Sequence, residues 1–364
     1  MDGRVKRITA ASLMLCTLAA CTQPEQASDA EPAGLQSLAS QHGLSWGSAI
    51  GARSLDEPAL RALLLRNVGS LTPENALKWD ATEPAPGQFQ LDAMEQLVAF
   101  CKRHRLVLRG HALVWHQQVP IWLEGLQGPQ LRAALERHIR TLVGHRRGQI
   151  QSWDVINEPI DPEGHGLRRS FWLARLGRGF IADALHWARE ADPATQLLIN
   201  EYGLEGDDPQ TARKRLAMLA LIDELKRAGA PLDGIGLQAH LLAPASGSPT
   251  FRTLPAFLGE LRRRGLQVEI TELDVSDRLL SAAIDLRDQR VAATYDAFLK
   301  AVLTEPALRR ITTWGLSDRT TWLNSSFPRP DGRPQRPLPF DNALRAKPAH
   351  ISIQKDLQTI TSPR

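Results

Sequence analysis

The chain has 364 residues, of which 43% are hydrophobic and 23% are charged. This composition is typical of a globular domain with a sizeable core, and it excludes a largely disordered chain. The formal net charge of +4 is partly carried by the basic N-terminus. The basic run Arg262, Arg263 and Arg264 stands directly before Gly265, which is the pattern of a solvent-exposed helix C-terminus. The charge therefore gives no reason to expect a nucleic-acid partner.

Residues 1–20 have the pattern of a bacterial export signal. Three basic residues among the first seven precede a short apolar run that ends at Ala20, and this run is too short to cross a bilayer. The four residues up to Cys21 read LAAC and resemble a lipobox, which predicts cleavage before Cys21 and lipidation of its thiol. We expect an exported lipoprotein, periplasmic or anchored in the outer membrane; the alternative is an ordinary secretory signal with a chance cysteine.

The segment after Cys21 predicts a flexible tether over residues 21–43, because residues 22–40 are rich in Gln, Ser, Ala, Glu and Pro and have no periodic apolar face. A single catalytic domain is expected over residues 44–355. Cys101 shares an apolar helical stripe with Met94 and Val98, which favours a core position over a nucleophilic thiol. With Cys16 in the signal and Cys21 lipidated, we expect no intrachain disulfide.

Strand and helix patterns then alternate almost to the C-terminus. Eight apolar segments predict strands, at residues 46–50, 69–71, 106–115, 150–157, 196–202, 234–240, 267–272 and 311–314. Two apolar stripes between them predict amphipathic helices, at Leu131, Leu135, Ile139, Leu142 and Val143, and at Leu216, Leu219, Ile222 and Leu225. This alternation predicts an α/β fold, a single-domain (β/α)8 TIM barrel. An open doubly wound sheet is the alternative, and the lack of a GxGxxG after the first strand weakens it.

Several predicted strands end in polar or aromatic residues. In a barrel the carboxyl ends of all strands meet on one face, so these side chains become neighbours there. The residues are Glu74, Asn75, Lys78, Trp79, His111, Trp115, His116, Asn157, Glu158, Gln238, His240, Glu272, Asp274 and Trp314.

Two glutamates in this set stand at the exits of apolar strands. Glu158 follows the fourth strand and Glu272 ends the seventh. Each alone could be a capping or ion-pairing residue. A pair of carboxylates across a barrel mouth is what glycoside hydrolysis requires, with one protonating the leaving oxygen while the other attacks the anomeric carbon or activates water.

Six motifs in order make the chain resemble glycoside hydrolase family 10, the xylanases, from about Trp46 to Ala349. They are residues 73–79 (PENALKW), 110–116 (GHALVWH), 153–158 (WDVINE), 234–240 (GIGLQAH), 270–274 (ITELD) and 314–318 (WGLSD). The resemblance implies β-1,4-xylan or xylo-oligosaccharides as substrate and a retaining double displacement without metal or other cofactor. In that reaction Glu158 is the general acid/base and Glu272 the nucleophile. We expect a monomer.

The resemblance also implies roles for the supporting residues. His240, oriented by Asp274, would keep Glu272 ionised, and Asn157 would bind the sugar 2-hydroxyl. Trp314 and Trp322 would form an aromatic wall against the sugar, unless they are ordinary core residues. The sugar-binding residues before the scissile bond would be Glu74, Asn75, Lys78, His111, Trp115 and Gln238. Pro159, Gly203 and the pair Thr320-Thr321 depart from the usual family pattern. These departures bear on the sugar-binding sites beyond the cleavage point.

Two other classes of protein remain as alternatives. A metal-dependent barrel hydrolase could use His111, His116 and His240, although the sequence contains no HxH or HExxH. A glycan-binding lipoprotein without turnover is the second, and such a protein is expected to have lost one of the two glutamates.

Overall fold

The computed structural model describes residues 1–3, 33–51 and 54–360. Residues from 33 onward form one compact unit. Within the described residues the strands are β1 Ser45–Ile50, β2 Ser70–Pro73, β3 Val107–Gly110, β4 Ser152–Asn157, β5 Gln196–Glu201, β6 Gly234–Leu237, β7 His240–Leu242, β8 Gln267–Ser276 and β9 Leu308–Thr313.

The helices alternate with these strands. They are α1 Leu35–Ser40, α2 Pro58–Asn67, α3 Trp79–Thr82, α4 Asp92–His104, α5 Gly128–His145, α6 Phe171–Leu176, α7 Phe180–Ala191, α8 Pro209–Arg227, α9 Leu254–Arg263, α10 Ile284–Val302, α11 Leu323–Ser326 and α12 Pro348–Gln358. Two short 3₁₀ helices add Ile121–Gly125 and Asp318–Thr320.

The sheet is parallel throughout and closes on itself. The strand order runs from β6 back through β5, β4, β3, β2 and β1 to β9 and β8, and the pairing of β6 with β8 completes the ring. Eight strands thus form the barrel, which confirms the predicted (β/α)8 fold as a single domain. The remaining strand, β7, lies outside the ring. It pairs with the C-terminal part of β8, where His240 lies opposite Asp274.

Buried ion pairs occupy part of the barrel interior. The fully buried Arg109 donates from Nε to Glu269 at 3.0 Å and from its other side to Asp154. Arg310 lies 3.6 Å from Glu269, and Asp154 contacts His111 Nδ1 at 2.7 Å. Buried charges are costly unless they are paired, and here each cation faces a carboxylate. The interior network therefore reaches from the barrel floor to His111 at its mouth.

The core positions largely follow the predicted patterns; of the stripe predicted on α8, Ile222 and Leu225 are buried, and Leu216 is the exception. The predicted stripe on α5 is buried, and so is Cys101, whose pKa burial raises to about 12. On α8, however, Leu216 is 68% exposed. The buried face of α8 includes instead Lys214 and Arg215, whose long stems pack inward while their charged heads bond Glu201 and the Leu204 carbonyl.

Several boundaries also differ from the predictions, and three of the differences are large or bear on the site. The predicted tether over residues 21–43 overlaps α1, where Leu35, Leu38 and Ala39 are buried, so the folded unit starts before residue 44. The third strand ends at Gly110 instead of residue 115. The strand predicted over residues 267–272 is β8, and it continues to Ser276 because β7 pairs with its C-terminal part. Cys21 and most of the predicted signal and tether lie outside the described residues.

Candidate active site

The carboxyl ends of the barrel strands surround an open cleft of about 1070 Å³. The structure brings all thirteen predicted catalytic and sugar-binding residues into its lining: Glu74, Asn75, Lys78, His111, Trp115, Asn157, Glu158, Gln238, His240, Glu272, Asp274, Trp314 and Trp322. The strand ends therefore converge as the barrel geometry predicts.

Glu272 is held as an anion within β8. Its Oε1 accepts a hydrogen bond from Asn200 Nδ2 at 2.7 Å, and its Oε2 lies 3.1 Å from His240 Nε2. Burial by itself would raise the pKa of Glu272, but the hydrogen bond from His240 and the charges of His111 and His240 outweigh it. The pKa falls to about 2. Glu272 is consequently ionised across the neutral pH range.

His240 connects Glu272 to a second carboxylate. Its Nδ1 lies 3.0 Å from Asp274 Oδ1, and the other oxygen of Asp274 accepts from Trp322 Nε1 at 2.8 Å. Burial opposes a charge on the ring, yet the charge of Asp274 and the bonds to both carboxylates raise the pKa of His240 well above its ordinary value. His240 is thus a cation that donates one N–H to each carboxylate.

Glu158 follows β4 in a left-handed backbone conformation, with φ of 56°. For a residue with a side chain this conformation costs about 1–2 kcal/mol. Two contacts fix the turn: the Glu158 N–H donates to the Asn200 carbonyl at 2.8 Å, and Arg168 Nε donates to the Glu158 carbonyl at 2.8 Å. The turn places the Glu158 side chain in the cleft instead of continuing the strand.

The carboxylate of Glu158 has looser surroundings than that of Glu272. Gln238 Nε2 donates to Oε1 at 3.1 Å, and Asn157 Nδ2 does so at 3.4 Å. The cationic Arg168 and the ring of His116 stay 3.9 Å and 3.7 Å from Oε2. The side chain keeps 11% of its surface exposed, compared with 6% for Glu272.

Amide side chains link the two glutamates. Asn200 donates from one nitrogen to both Glu272 and the oxygen of Asn157, and Asn157 in turn contacts Glu158. Gly236 makes room for this arrangement, since a Cβ there would lie 2.3 Å from Asn200 Oδ1. Glu158 and Glu272 therefore belong to one hydrogen-bonded unit at the barrel mouth.

A second group of polar residues lines the cleft after β2. Lys78 Nζ donates to Asn75 at 3.1 Å and lies 4.6 Å from the Trp115 ring centroid. Burial raises the pKa of Glu74 to about 7; Lys78 opposes this shift and the charge of Glu272 adds to it. Burial also lowers the pKa of Lys78. These groups offer hydrogen bonds to hydroxyls without forming a tight ion pair among themselves.

The two tryptophans predicted as a wall are in different situations. Trp314 is only 6% exposed and contacts the rings of His111 and His240 edge-on, at centroid distances of 5.3 and 6.3 Å. Trp322 is half-buried and lies 5.0 Å from the His240 ring. Both line the cleft, so Trp314 packs in the core and also borders the cleft.

The strand-end pattern missed Asn200, Arg168 and Arg278. Asn200 stands in the last part of β5, where the position alone could have indicated it. Arg168 and Arg278 come from loops and line the cleft through tertiary contacts that no local pattern predicts.

The rival metal site is not assembled. Within the described part of the chain, no group of three or more His, Cys, Asp or Glu side chains could hold a metal ion. His111, His116 and His240 lie against three different carboxylates, those of Asp154, Glu158 and Glu272.

The described residues contain no helix that is both long and apolar enough to span a bilayer.

A closed (β/α)8 barrel with two linked carboxylates and aromatic walls at its mouth defines the class of barrel glycoside hydrolases. The model of glycosyl hydrolase family 10 matches residues 34–356. The chain therefore belongs to glycosyl hydrolase family 10.

Relatives and solved structures agree with this assignment. The chain is 35% identical to endo-1,4-beta-xylanase A of Phanerodontia chrysosporium over 326 residues, which cover 88% of this chain and 76% of that protein. Native xylanase 10B of Thermotoga maritima superimposes with a TM-score of 0.82 at 31% identity, covering 89% of this chain and 98% of that one. Xylanase 10B of Thermotoga petrophila, solved in complex with xylobiose, gives a TM-score of 0.81 at 31% identity, covering 90% and 98%.

Proposed function

We propose that this protein is a retaining endo-β-1,4-xylanase in which Glu158 is the general acid/base and Glu272 the nucleophile. The observation that carries the proposal is the linked pair itself. One glutamate is ionised and buried between a cationic histidine and an amide, and the other is looser and more exposed, in the same cleft. Family membership and the names of the relatives supply xylan as the substrate.

The first step breaks the glycosidic bond. The Glu272 carboxylate attacks the anomeric carbon, the bond to the leaving oxygen breaks, and the proton of Glu158 passes to that oxygen. The low pKa of Glu272 keeps the nucleophile ionised without a separate base. His240 and Asn200 hold both of its oxygens, so the attacking group is oriented before the sugar arrives.

The second step releases the sugar. Glu158, now ionised, takes a proton from a water molecule, whose oxygen attacks the anomeric carbon of the covalent intermediate. The bond to Glu272 breaks and the nucleophile returns to its anionic state. His240 stabilises the departing carboxylate because it remains cationic and hydrogen-bonded to it.

The remaining cleft residues bind the sugar chain. Asn157 contacts Glu158 directly and is linked to Glu272 through Asn200, and it is suited to hold the 2-hydroxyl, a contact that strengthens in the transition state. Trp314 and Trp322 present aromatic surface to the sugar face. The polar set that binds the hydroxyls before the scissile bond is Glu74, Asn75, Lys78, His111, Trp115 and Gln238.

Covalent trapping tests the roles directly. A 2-fluoro xylobioside with an activated leaving group is expected to label the enzyme stoichiometrically, and peptide mass spectrometry should find the sugar on Glu272. The variant Glu272→Ala should remain unlabelled, whereas an exposed control such as Glu190→Ala should label like the wild type. Labelling at another residue would show that the nucleophile has been misassigned.

Release of reducing sugar tests the activity itself. The wild type should depolymerise xylan, and products of several lengths would indicate internal cleavage. A protein that binds xylan without releasing sugar would be the non-catalytic glycan-binding alternative.

We further propose that the protein is an exported monomer, tethered by a lipid on Cys21 in the periplasm or at the outer membrane. The LAAC motif supports the lipid. Mass spectrometry of the mature N-terminus should find a modified Cys21, and a start at any other residue contradicts the anchor. Light scattering of the domain should give the mass of a single chain.

A further inference from the structure

Arg278 is a cation of the cleft with no use in the proposed reaction. It follows β8 by two residues, is half-buried, and lines the cleft beside Leu242 and Phe327. Its Nε is buried without a hydrogen-bond partner among the described residues. The other guanidinium of the cleft, that of Arg168, bonds the Glu158 carbonyl and the hydroxyl of Tyr202. A buried donor without a partner is costly, which indicates that a ligand completes the site.

The neighbouring acid does not neutralise Arg278. The buried side chain of Asp277 contacts Arg287 Nε at 2.5 Å and the Arg336 backbone N–H at 3.2 Å, and Arg329 lies 3.9 Å away. Asp277 is therefore committed to an interior network. Asp277 therefore does not offset the positive charge of Arg278, which lines the cleft.

The backbone that carries Arg278 is held in place from both sides. Arg329 donates to the carbonyls of Asp277 and Leu280, and Ser276 Oγ donates to Gln335 at 2.6 Å. The turn is thus fixed before a ligand binds, which lowers the cost of ordering the site. A strand rise of about 3.3 Å per residue places Ser276 roughly 13 Å from Glu272 along β8, so Arg278 lies beyond the sugar at the cleavage point.

We propose that Arg278 binds the carboxylate of a uronic acid substituent on the xylan chain. The proposal rests on the proposed function and names the substrate class within it. Neutral sugar hydroxyls are served by amides and carboxylates elsewhere in the cleft, whereas a guanidinium matches a carboxylate in charge and in its paired N–H geometry. The exposed faces of Leu242 and Phe327, 48% and 45% exposed, provide apolar contact for the sugar ring beside that carboxylate.

The test compares glucuronoxylan with the same polymer after its uronic acids have been reduced to neutral sugars. The wild type should have a higher kcat/KM on the acidic polymer. In Arg278→Gln the ratio of the two kcat/KM values should fall about ten-fold, the size of one charged hydrogen bond. Arg278→Lys should retain part of the preference, and added salt should reduce it in the wild type.

A matched variant and two outcomes make the test decisive. Arg252, 83% exposed at its side chain and not part of the cleft lining, gives the control Arg252→Gln, which should keep the wild-type ratio. An unchanged ratio in Arg278→Gln overturns the proposal; if kcat/KM then falls equally on both polymers, Arg278 binds hydroxyls instead. If the wild type hydrolyses neither polymer, the proposed function itself fails.

Discussion

The surroundings of Glu272 and of Glu158 differ in the way that the proposed mechanism requires. Each oxygen of Glu272 has a hydrogen-bond donor: Asn200 donates to Oε1, and the cationic His240, itself held by Asp274, donates to Oε2. Glu158 has amide contacts on one oxygen, and the nearest cationic group to the other stays 3.9 Å away. In the proposed mechanism Glu272 must be ionised when it attacks, and its carboxylate has a hydrogen-bond donor on each oxygen; Glu158 must gain and lose a proton, and its carboxylate is held less firmly.

The largest loss of activity should come from replacing Glu272, the more firmly held of the two glutamates. Glu272→Ala deletes the nucleophile, so kcat on xylohexaose should fall by at least about 10⁴-fold while the fold is kept. Steady-state kinetics measures the loss and circular dichroism checks the fold. The surface control Glu190→Ala should retain wild-type turnover. A variant that keeps a tenth of the activity would remove Glu272 from the mechanism.

Removing the looser side should give a loss that depends on the leaving group. Glu158→Ala should reduce kcat on xylo-oligosaccharides by about 10²–10⁴-fold, because their leaving oxygen needs a proton. With a dinitrophenyl xylobioside the leaving group is dinitrophenolate, which departs without protonation. Formation of the covalent intermediate should therefore remain fast in this variant. Pre-steady-state release of dinitrophenol measures that step. An equal loss with both substrates would show that Glu158 is not the acid.

Unlocking Glu272 without deleting it should move the pH profile. His240→Asn removes the cation that lowers the pKa of Glu272, and the burial that remains raises that pKa above about 2. Because the nucleophile must be ionised, the acidic limb of kcat/KM should shift to higher pH. The exposed His186→Asn is the control and should leave the limb in place. No displacement in His240→Asn would contradict the assigned role of the histidine.

The smallest effect concerns Glu74, a half-buried carboxyl without the hydrogen-bond donors that hold Glu272. Its pKa is raised from 4.5 to about 7, so between these values the folded chain holds a proton that the unfolded chain has lost. The free energy of unfolding should therefore fall as pH rises from about 4.5 to about 7 and level off above. Glu74→Gln should lessen this decline in chemical denaturation curves. An identical decline in the variant would assign it to other groups.

The amino-acid sequence by itself determined the barrel and most of the site. Eight apolar segments at helix-length spacing favoured a parallel barrel over an open doubly wound sheet, and a barrel brings every strand end to one face. The position of Glu158 and Glu272 at two such ends was therefore sufficient to predict that they meet. The barrel and the convergence of its strand ends follow from local periodicity, which a chain carries without its tertiary contacts, whereas the sugar-binding residues were predicted from the resemblance to the family.

The tertiary structure decided what depends on partners distant in the chain. Leu216 is exposed because Lys214 finds an acceptor at the end of β5 and Arg215 finds one on the loop after it, and apolar periodicity cannot anticipate such acceptors. α1 is ordered because its apolar residues are buried, although its composition reads as a tether. Asn200 becomes part of the site because Gly236 on the adjacent strand leaves room for its amide. Packing and hydrogen bonding between remote segments are properties of the folded chain, and they set the pKa of Glu272 on which the proposed mechanism depends.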